Sequence, residues 1–485
     1  MTPLRDACPI GLDVGTTTCR AVAFDCHGQL LAEARREVVP EHPAPGEATQ
    51  QATRWWEAAC LVLREVVATL EAQGRAPLAV GLAGLMHAMV PLDARLQPVA
   101  PAMLWMDQRS QTEVDWLNGE GRQAFQAAAG AGALASTTPS LARLRWIAAN
   151  EPQVLARTRW LLLPKDYVRL QLTGQVATDP TDAGGTGLYD GRAGNWSPGL
   201  VELARITPEQ LPPIRPSASL AGGVTPAAAQ ATGLPAGLPV VVGMADTAAT
   251  RLGSLGTDRE AALIYMGTAA WVNWSGRGNH HAMLATTATG GALRWLRDVL
   301  SGPGEPLPYD TLLAEAAATP AGADGALFLP HLSGERGPVG NPAARGVFSG
   351  LALCHGRGHL VRALLEGTSC HIRWLMEEGQ AMEAPRIHVS GGGTRGDVWT
   401  QVLANVLDRP LQASAVAEAG ALGAAMLAAT GVGRFSDLAS AATAMLRPGR
   451  KITPQSELRE LHAELYRRWR LAEESFAPPC TRGSA

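Results

Sequence analysis

Lysine is nearly missing from this chain, which holds only Lys165 and Lys451 beside a large excess of arginine; the bias carries no chemistry of its own. The seven cysteines (8, 19, 26, 60, 354, 370 and 480) form an odd set without a CxxC pair. Neither a zinc ribbon nor a disulfide framework is expected, and a reducing cytoplasm is the compartment that suits them. No run of about 20 uninterrupted apolar residues occurs and no basic, apolar leader opens the sequence, so neither membrane spanning nor export is expected. Charge of one sign is also lacking: 41 basic and 44 acidic side chains give a net charge of −3, spread along the chain. A polyanion such as nucleic acid is therefore not an expected partner, and a small molecule is. The P-loop pattern G-x-x-x-x-G-K-[ST] is absent throughout.

What is present is a large apolar fraction, 46% of 485 residues, enough for two or three domains with sizeable cores. "IGLDVGTTTCRAVAFD" (10–25) reads as strand, Gly-Thr turn, strand, followed by a turn and a third strand over 30–38. A Rossmann turn needs a helix directly after its glycines, and here a strand follows. A helix over 52–72 and a strand over 78–82 come next, with a sheet-like pair at 89–92 and 102–105. Alternating helices and strands then run to about residue 253. The opening pattern recurs as "AALIYMGTAAWVNWS" (261–275), where Gly267-Thr268 matches Gly15-Thr16 and Tyr265 stands where Asp13 does. A true repeat would mean a duplicated hairpin-led α/β domain, although two such turns also arise by chance among 53 glycines. Residues 386–411 read as strand, glycine triplet and helix, 413–429 as an Ala-rich helix, and 453–476 as a helix with Thr453 as N-cap and Pro454 in its first turn.

Four stretches hold candidate chemistry. Threonine turns at Thr16, Thr17, Thr18 and at Thr268 offer hydroxyls and backbone N–H groups to a polyphosphate, and Gly15 and Gly267 let the backbone come close. Asp13 then suits Mg²⁺, directly or through water; an ordinary hairpin with threonines completing turn hydrogen bonds explains the same residues. In "VVVGMADTAATRLGSLG" (240–256) Asp246 ends a buried strand, where a carboxylate can take a hydroxyl proton or simply cap a helix. "GLMHAMVPLD…PAMLWMDQRS" supplies Met86, His87, Trp105, Asp107 and Arg109, the mixture of polar groups and apolar wall that a polyol needs; His87 is equally readable as a partly buried structural histidine. "ATDPTDAGGTGLYD" brings Asp182 beside a Gly-rich turn that turn chemistry alone accounts for.

In this order the stretches resemble the FGGY family of carbohydrate kinases, within the actin, hexokinase and heat-shock-ATPase superfamily, and the similarity covers essentially the whole chain. "GLDVGTTTCRAVAFD" looks like the family's first phosphate motif, "MGTAAW" like the second and "SGGGTRGDVWTQVLANVL" like the adenosine motif. Segments 328–351 and 418–429 also read as family segments. The resemblance implies an α/β fold of two actin-like, ribonuclease H-like domains around a central cleft, expected at 1–253 and 254–485. It implies Asp246 as general base, Asp13 as the Mg²⁺ carboxylate, and Thr16, Thr17, Thr18, Arg20, Gly267 and Thr268 around the phosphates of ATP. Gly391, Gly392, Gly393 and Asp397 would serve the nucleoside, and Met86, His87, Trp105, Asp107, Asp182 and Asp246 the sugar.

Within the family the sugar stretches look most like those of xylulokinases, implying D-xylulose as substrate. Leu85 stands where those enzymes show Gln, and Thr247 follows the acid where Gln, Asn or Gly is usual. Gluconokinases share the "MH" and "W-x-D-x-R-S" stretches, so gluconate or another ketose or polyol stays open. A sugar- or nucleotide-sensing protein without catalysis and an actin-like ATPase are the alternatives of another class. A homodimer is compatible with each reading.

Overall fold

A computed structural model describes residues 7–275, 281–302, 304–335, 340–341, 343–416 and 418–476. Residues 336–339 and 342 of the 328–351 segment lie outside the described residues. The chain forms two compact units, one joining Met1–Thr257 with Glu418–Leu446, the other Asp258–Ala417 with Arg447–Ala485. The expected first boundary falls close to this division. The expected second domain, 254–485, differs from it, because residues 418–446 return to the first unit.

The reason lies in the helix Ala419–Gly431, "AGALGAAMLAATG", which is buried along nearly its whole length and has no polar face to turn to water. Its small residues let backbones touch. A Cβ on Gly11 would stand 1.8 Å from the Ala421 carbonyl oxygen, and one on Gly81 would stand 1.9 Å from that of Ala424. The same closeness recurs against the helix Asp246–Leu255, through Gly253 and Gly423. What reads as one Ala-rich helix over 413–429 is a strand, Leu411–Ser414, followed by this helix.

The first unit's sheet runs in the order Leu220–Gly223, Pro239–Val241, Ala76–Gly84, Ala7–Val14, Thr18–Phe24, Leu30–Glu37, with Met244–Ala245 also paired to Ala76–Gly84. The second unit's sheet, read from the other edge, repeats the scheme: Leu30–Glu37, Thr18–Phe24 and Ala7–Val14 have their counterparts in His281–Ala285, Ala270–Ser275 and Ala261–Met266. Arg386–Ser390, Leu411–Ser414 and Pro448–Ile452 then follow. Each unit has an antiparallel three-strand meander whose first strand pairs in parallel with a later one. The duplication left open by the short sequence repeat is thus present in the topology.

Because side chains alternate across a strand, Ile10, Leu12 and Val14 enter the core with Trp55, Val62 and Leu63 of the helix Ala52–Ala72, while Gly11 and Asp13 share the opposite face. This meander and the helix Ala52–Ala72 match their sequence reading closely. The tail differs: the helix spans Arg459–Phe476, after a short 3₁₀ turn at Ser456–Leu458. Side chains of the helix Asp397–Leu407 hold 453–455 in extended form. Gln401 donates to the Thr453 carbonyl at 2.9 Å, and Asn405 pairs with the backbone N–H and side-chain oxygen of Gln455 at 2.9 Å each. Among the described residues no helix is long and apolar enough to cross a membrane.

Candidate active site

The central strand Ala76–Gly84 brings the two expected acids to one level. Asp13 pairs in register with Ala83 on one side, and Met244 and Ala245 pair with Ala83 and Gly84 on the other. Asp246 follows directly, so both acids sit at the C-terminal ends of parallel strands whose backbones lie about 10 Å apart, two strand spacings. Gly243 makes the second approach possible: its φ is +90°, and a Cβ there would stand 2.5 Å from the Leu82 carbonyl oxygen. Asp246 is the first residue of its helix, behind Ala245 as N-cap, and its Oδ1 accepts the adjacent Thr247 N–H at 2.7 Å.

Both carboxyls hold their protons unusually well. Enclosure raises the Asp13 pKa to about 6, with Arg20 pulling it down and Glu418 pushing it up. Enclosure and the charge of Asp13 raise Asp246 to about 7, against the pull of the Thr247 N–H. Oδ1 of Asp13 is buried without a hydrogen-bond partner among the described residues. An orphaned carboxylate oxygen of this kind fits a hard cation.

Beside Asp13 the turn is braced. The Gly15 N–H donates to the Thr18 carbonyl at 3.0 Å, Gln50 donates to the carbonyls of Thr16 at 2.8 Å and Val38 at 2.9 Å, and the Trp105 indole donates to the Thr16 hydroxyl at 3.2 Å. Thr17 is exposed and Thr18 partly so. Arg20 is engaged by Glu418 and, at 3.4 Å, by Glu33.

Met86 and His87 gather on the Asp246 side. The Thr247 hydroxyl lies 3.1 Å from the Met86 sulfur, and His87 Nδ1 lies 2.5 Å from the Gly185 carbonyl oxygen. His87 adopts a left-handed φ of 72°, and its carbonyl is clamped by Ser140 at 2.5 Å and Arg143 at 2.6 Å. A non-glycine residue in that conformation stores strain that its surroundings must hold. Leu85, the departure from the xylulokinase pattern, is buried in the core.

Two expected sugar contacts are placed differently. Asp107 is fully buried, accepting from the Ala48 N–H at 2.8 Å, the Arg109 N–H at 3.0 Å and the Arg109 guanidinium at 2.8 Å. Asp182 is also fully buried, with Oδ2 2.9 Å from the Lys165 ammonium. Committed in this way, the two carboxylates brace loops and do not face solvent.

In the second unit, Gly267-Thr268 sits at the N-terminus of the helix Gly290–Ser301. The Gly267 carbonyl accepts from Gly290 at 2.9 Å, and the Thr268 carbonyl accepts from Thr289 at 2.8 Å and Gly291 at 2.9 Å. The glycine triplet packs on the strand leading to that turn. Gly391, at φ +95°, would carry a Cβ 2.7 Å from the Met266 carbonyl oxygen, and Gly393 one 2.9 Å from the Met266 side chain; at Gly392 the space is open. Turn and triplet, far apart in sequence, therefore form one surface. Asp397 opens the next helix, is largely exposed and pairs with Arg450 at 2.6 Å.

Comparison with known proteins decides the family. Residues 8–253 match the N-terminal domain, and residues 266–432 the C-terminal domain, of the FGGY family of carbohydrate kinases. The chain belongs to this family. A xylulose kinase of Escherichia coli is 30% identical over 440 residues, 86% of this chain and 89% of that protein. An autoinducer-2 kinase of Klebsiella pneumoniae is 29% identical over 499 residues, 95% of this chain and 92% of the other. The crystal structure of a xylulose kinase from Rhodospirillum rubrum superimposes with a TM-score of 0.83 at 34% identity, over 96% of this chain and 98% of that one. The two-domain actin-like fold expected from the motifs is the fold of this kinase.

Little in the sequence of this FGGY kinase points to the buried ion cluster behind Asp246. Lys165 lies 2.7 Å from Asp166, 3.0 Å from Asp179 and 2.9 Å from Asp182, and Arg169 pairs with Asp166 at 2.7 Å. Burial acts to lower the Lys165 pKa, but the three aspartates raise it above its usual value; burial raises that of Asp182. From Asp179 a chain of bonds leads to the candidate base: the Thr181 hydroxyl donates to Asp179 at 2.6 Å and accepts from the Ala245 N–H at 2.8 Å, one residue before Asp246. Glu418 was missed as well, because its partner Arg20 lies 398 positions away. One of the chain's two lysines carries this cluster.

Proposed function

We propose that this kinase transfers the γ-phosphoryl group of ATP to the 5-hydroxyl of D-xylulose, giving D-xylulose 5-phosphate and ADP. The observation that carries the reading is the pairing of Asp13 and Asp246 at the ends of strands flanking Ala76–Gly84, with Met86 in contact with Thr247 beside the second acid. The xylulose kinases among its relatives support the substrate.

Asp246 takes the proton of the sugar hydroxyl as that oxygen bonds to phosphorus and the bond to the ADP oxygen breaks. A carboxylate held near pH 7 by enclosure and a neighbouring charge is well matched to that transfer. Met86, His87 and Trp105 orient the sugar; Asp107 and Asp182 act through the loops they brace. Thr16, Thr17, Thr18 and Arg20 in the first unit serve the phosphates, as do Gly267 and Thr268 in the second. Gly391, Gly392, Gly393 and Asp397 serve the nucleoside. Asp13 would hold Mg²⁺, directly or through water, and the ion would supply charge neutralisation on the phosphates.

The test is ADP release from MgATP against D-xylulose, other ketopentoses, L-ketoses, polyols and gluconate, alongside Asp246→Asn. Fastest turnover on D-xylulose, lost in the variant, is the expected result. Faster turnover on gluconate than on any ketopentose would move the assignment to an aldonate, and no turnover on any of them would favour a sensor.

A further inference from the structure

A second cluster of ionisable groups lies inside the second unit and takes no part in the chemistry above. His331 follows the strand Leu327–Leu329, Glu335 is four residues on, His371 lies within the helix Arg357–Glu378, and Glu473 within Arg459–Phe476. All four are buried. His331 Nδ1 stands 2.9 Å from Glu335 Oε2, and His371 Nε2 stands 3.1 Å from the same oxygen.

We propose that His331, Glu335 and His371 form a structural site for a first-row divalent cation, best suited to Zn²⁺. The three donor atoms lie within 4.8 Å of one another. The 2.9 and 3.1 Å separations are close to those of ligand atoms sharing one ion at Zn–N and Zn–O bond lengths of about 2.0–2.2 Å. Two imidazoles with one carboxylate is a donor set that favours zinc over the hard cations.

The strongest support is the fourth residue. Glu473 Oε2 lies 2.5 Å from Nε2 of His331, the nitrogen turned away from Glu335. Metal-ligating histidines regularly give their other ring N–H to a carboxylate, which fixes tautomer and orientation. Here that partner is in place, and it leaves Nδ1 facing Glu335 Oε2, the oxygen that His371 Nε2 also approaches. The aromatic surroundings keep the site dry: the His371 ring centroid is 5.9 Å from that of Trp374 and 5.8 Å from that of Trp469.

Such an ion would join three segments of the second unit that are distant in sequence. On binding, Zn²⁺ replaces the proton shared between Nδ1 of His331 and Glu335, and that proton leaves to solvent. The site does not depend on the sugar assignment.

The test uses the full chain, stripped with chelator and titrated with Co²⁺ under excess Mg²⁺, so that hard-cation sites are filled. The expected result is one Co²⁺ per chain with visible d–d absorption, displaced by Zn²⁺, and a melting temperature that rises with Zn²⁺ concentration. His371→Ala should abolish the band, and Glu473→Gln should keep it with affinity weakened about 10–100-fold. A folded wild-type chain that takes up no Co²⁺ overturns the proposal. So does a band equal in wild type and His371→Ala. Should His371→Ala not fold, Glu473→Gln binding Co²⁺ as tightly as wild type is the overturning result.

Discussion

The two Gly-Thr hairpins are built alike and equipped differently. In the first, Asp13 pairs across the hairpin with Arg20 two residues before the glycine. In the second, Tyr265 holds that position and pairs with Trp271, their rings stacked at 5.0 Å. One copy thus presents an enclosed carboxylate with an orphaned oxygen, and the other an aromatic pair. The lesson is that duplication fixes where a turn sits, while the residue beside it decides whether the turn holds charge.

The largest expected effect breaks that comparison at its acids. Asp246→Asn should lower kcat by about a hundred- to ten-thousandfold, as loss of a general base does, in steady-state ADP release. Asp13→Asn should cost about a hundred- to a thousandfold through lost charge stabilisation. Tyr265→Phe should leave kcat within about threefold, since a non-participating group contributes no transition-state term. Equal losses in Asp13→Asn and Tyr265→Phe would mean that the two hairpins do the same work.

Stability comes next. Lys165→Met leaves buried Asp179 and Asp182 without their cation, Asp166 keeping Arg169, and should cost about 3–5 kcal/mol in urea denaturation. The pH dependence sharpens the comparison further. As a base, Asp246 acts deprotonated, so kcat/KM in the free enzyme should fall as pH drops below about 7. Because the charge of Asp13 raises that value, the acid limb of the residual activity in Asp13→Asn should move to lower pH. The folded pKa of Asp246 lies above its unfolded value, so its contribution to stability is favourable at low pH and is lost as pH rises through 7. Asp246→Asn should therefore raise the melting temperature at pH 8 and not at pH 4. A mild effect is expected from Thr181→Val, about tenfold in kcat with KM little changed, because it removes the hydroxyl that links Asp179 to the Ala245 N–H ahead of the base. A change confined to KM would contradict that role.

Much of the fold was legible. The strand Thr18–Phe24 and the helix Ala52–Ala72 end where their patterns end, since alternation and a 3.6-residue period report directly on which face is buried. The start of the last helix was not, because Thr453 and Pro454 look like a helix start, while the side chains of Gln401 and Asn405, bonded to Thr453 and Gln455, hold this stretch extended. In the candidate site the motifs place Asp13 and Asp246 at the ends of strands flanking Ala76–Gly84, whereas Asp107 and Asp182, expected at the sugar, are buried against Arg109 and Lys165. A carboxylate in a polar stretch looks the same in sequence whether it meets a ligand or an arginine or lysine folded in behind it.

Local pattern by itself determined the hairpins, the glycines at their turns and the order of the motifs, all consequences of backbone sterics and short-range periodicity. Tertiary structure alone decided which unit receives the helix Ala419–Gly431, which aspartates stay open, and that Lys165 and His331 each gather carboxylates from distant segments. Those outcomes depend on desolvation and on Coulomb terms between residues far apart in the chain, which no short window of sequence contains.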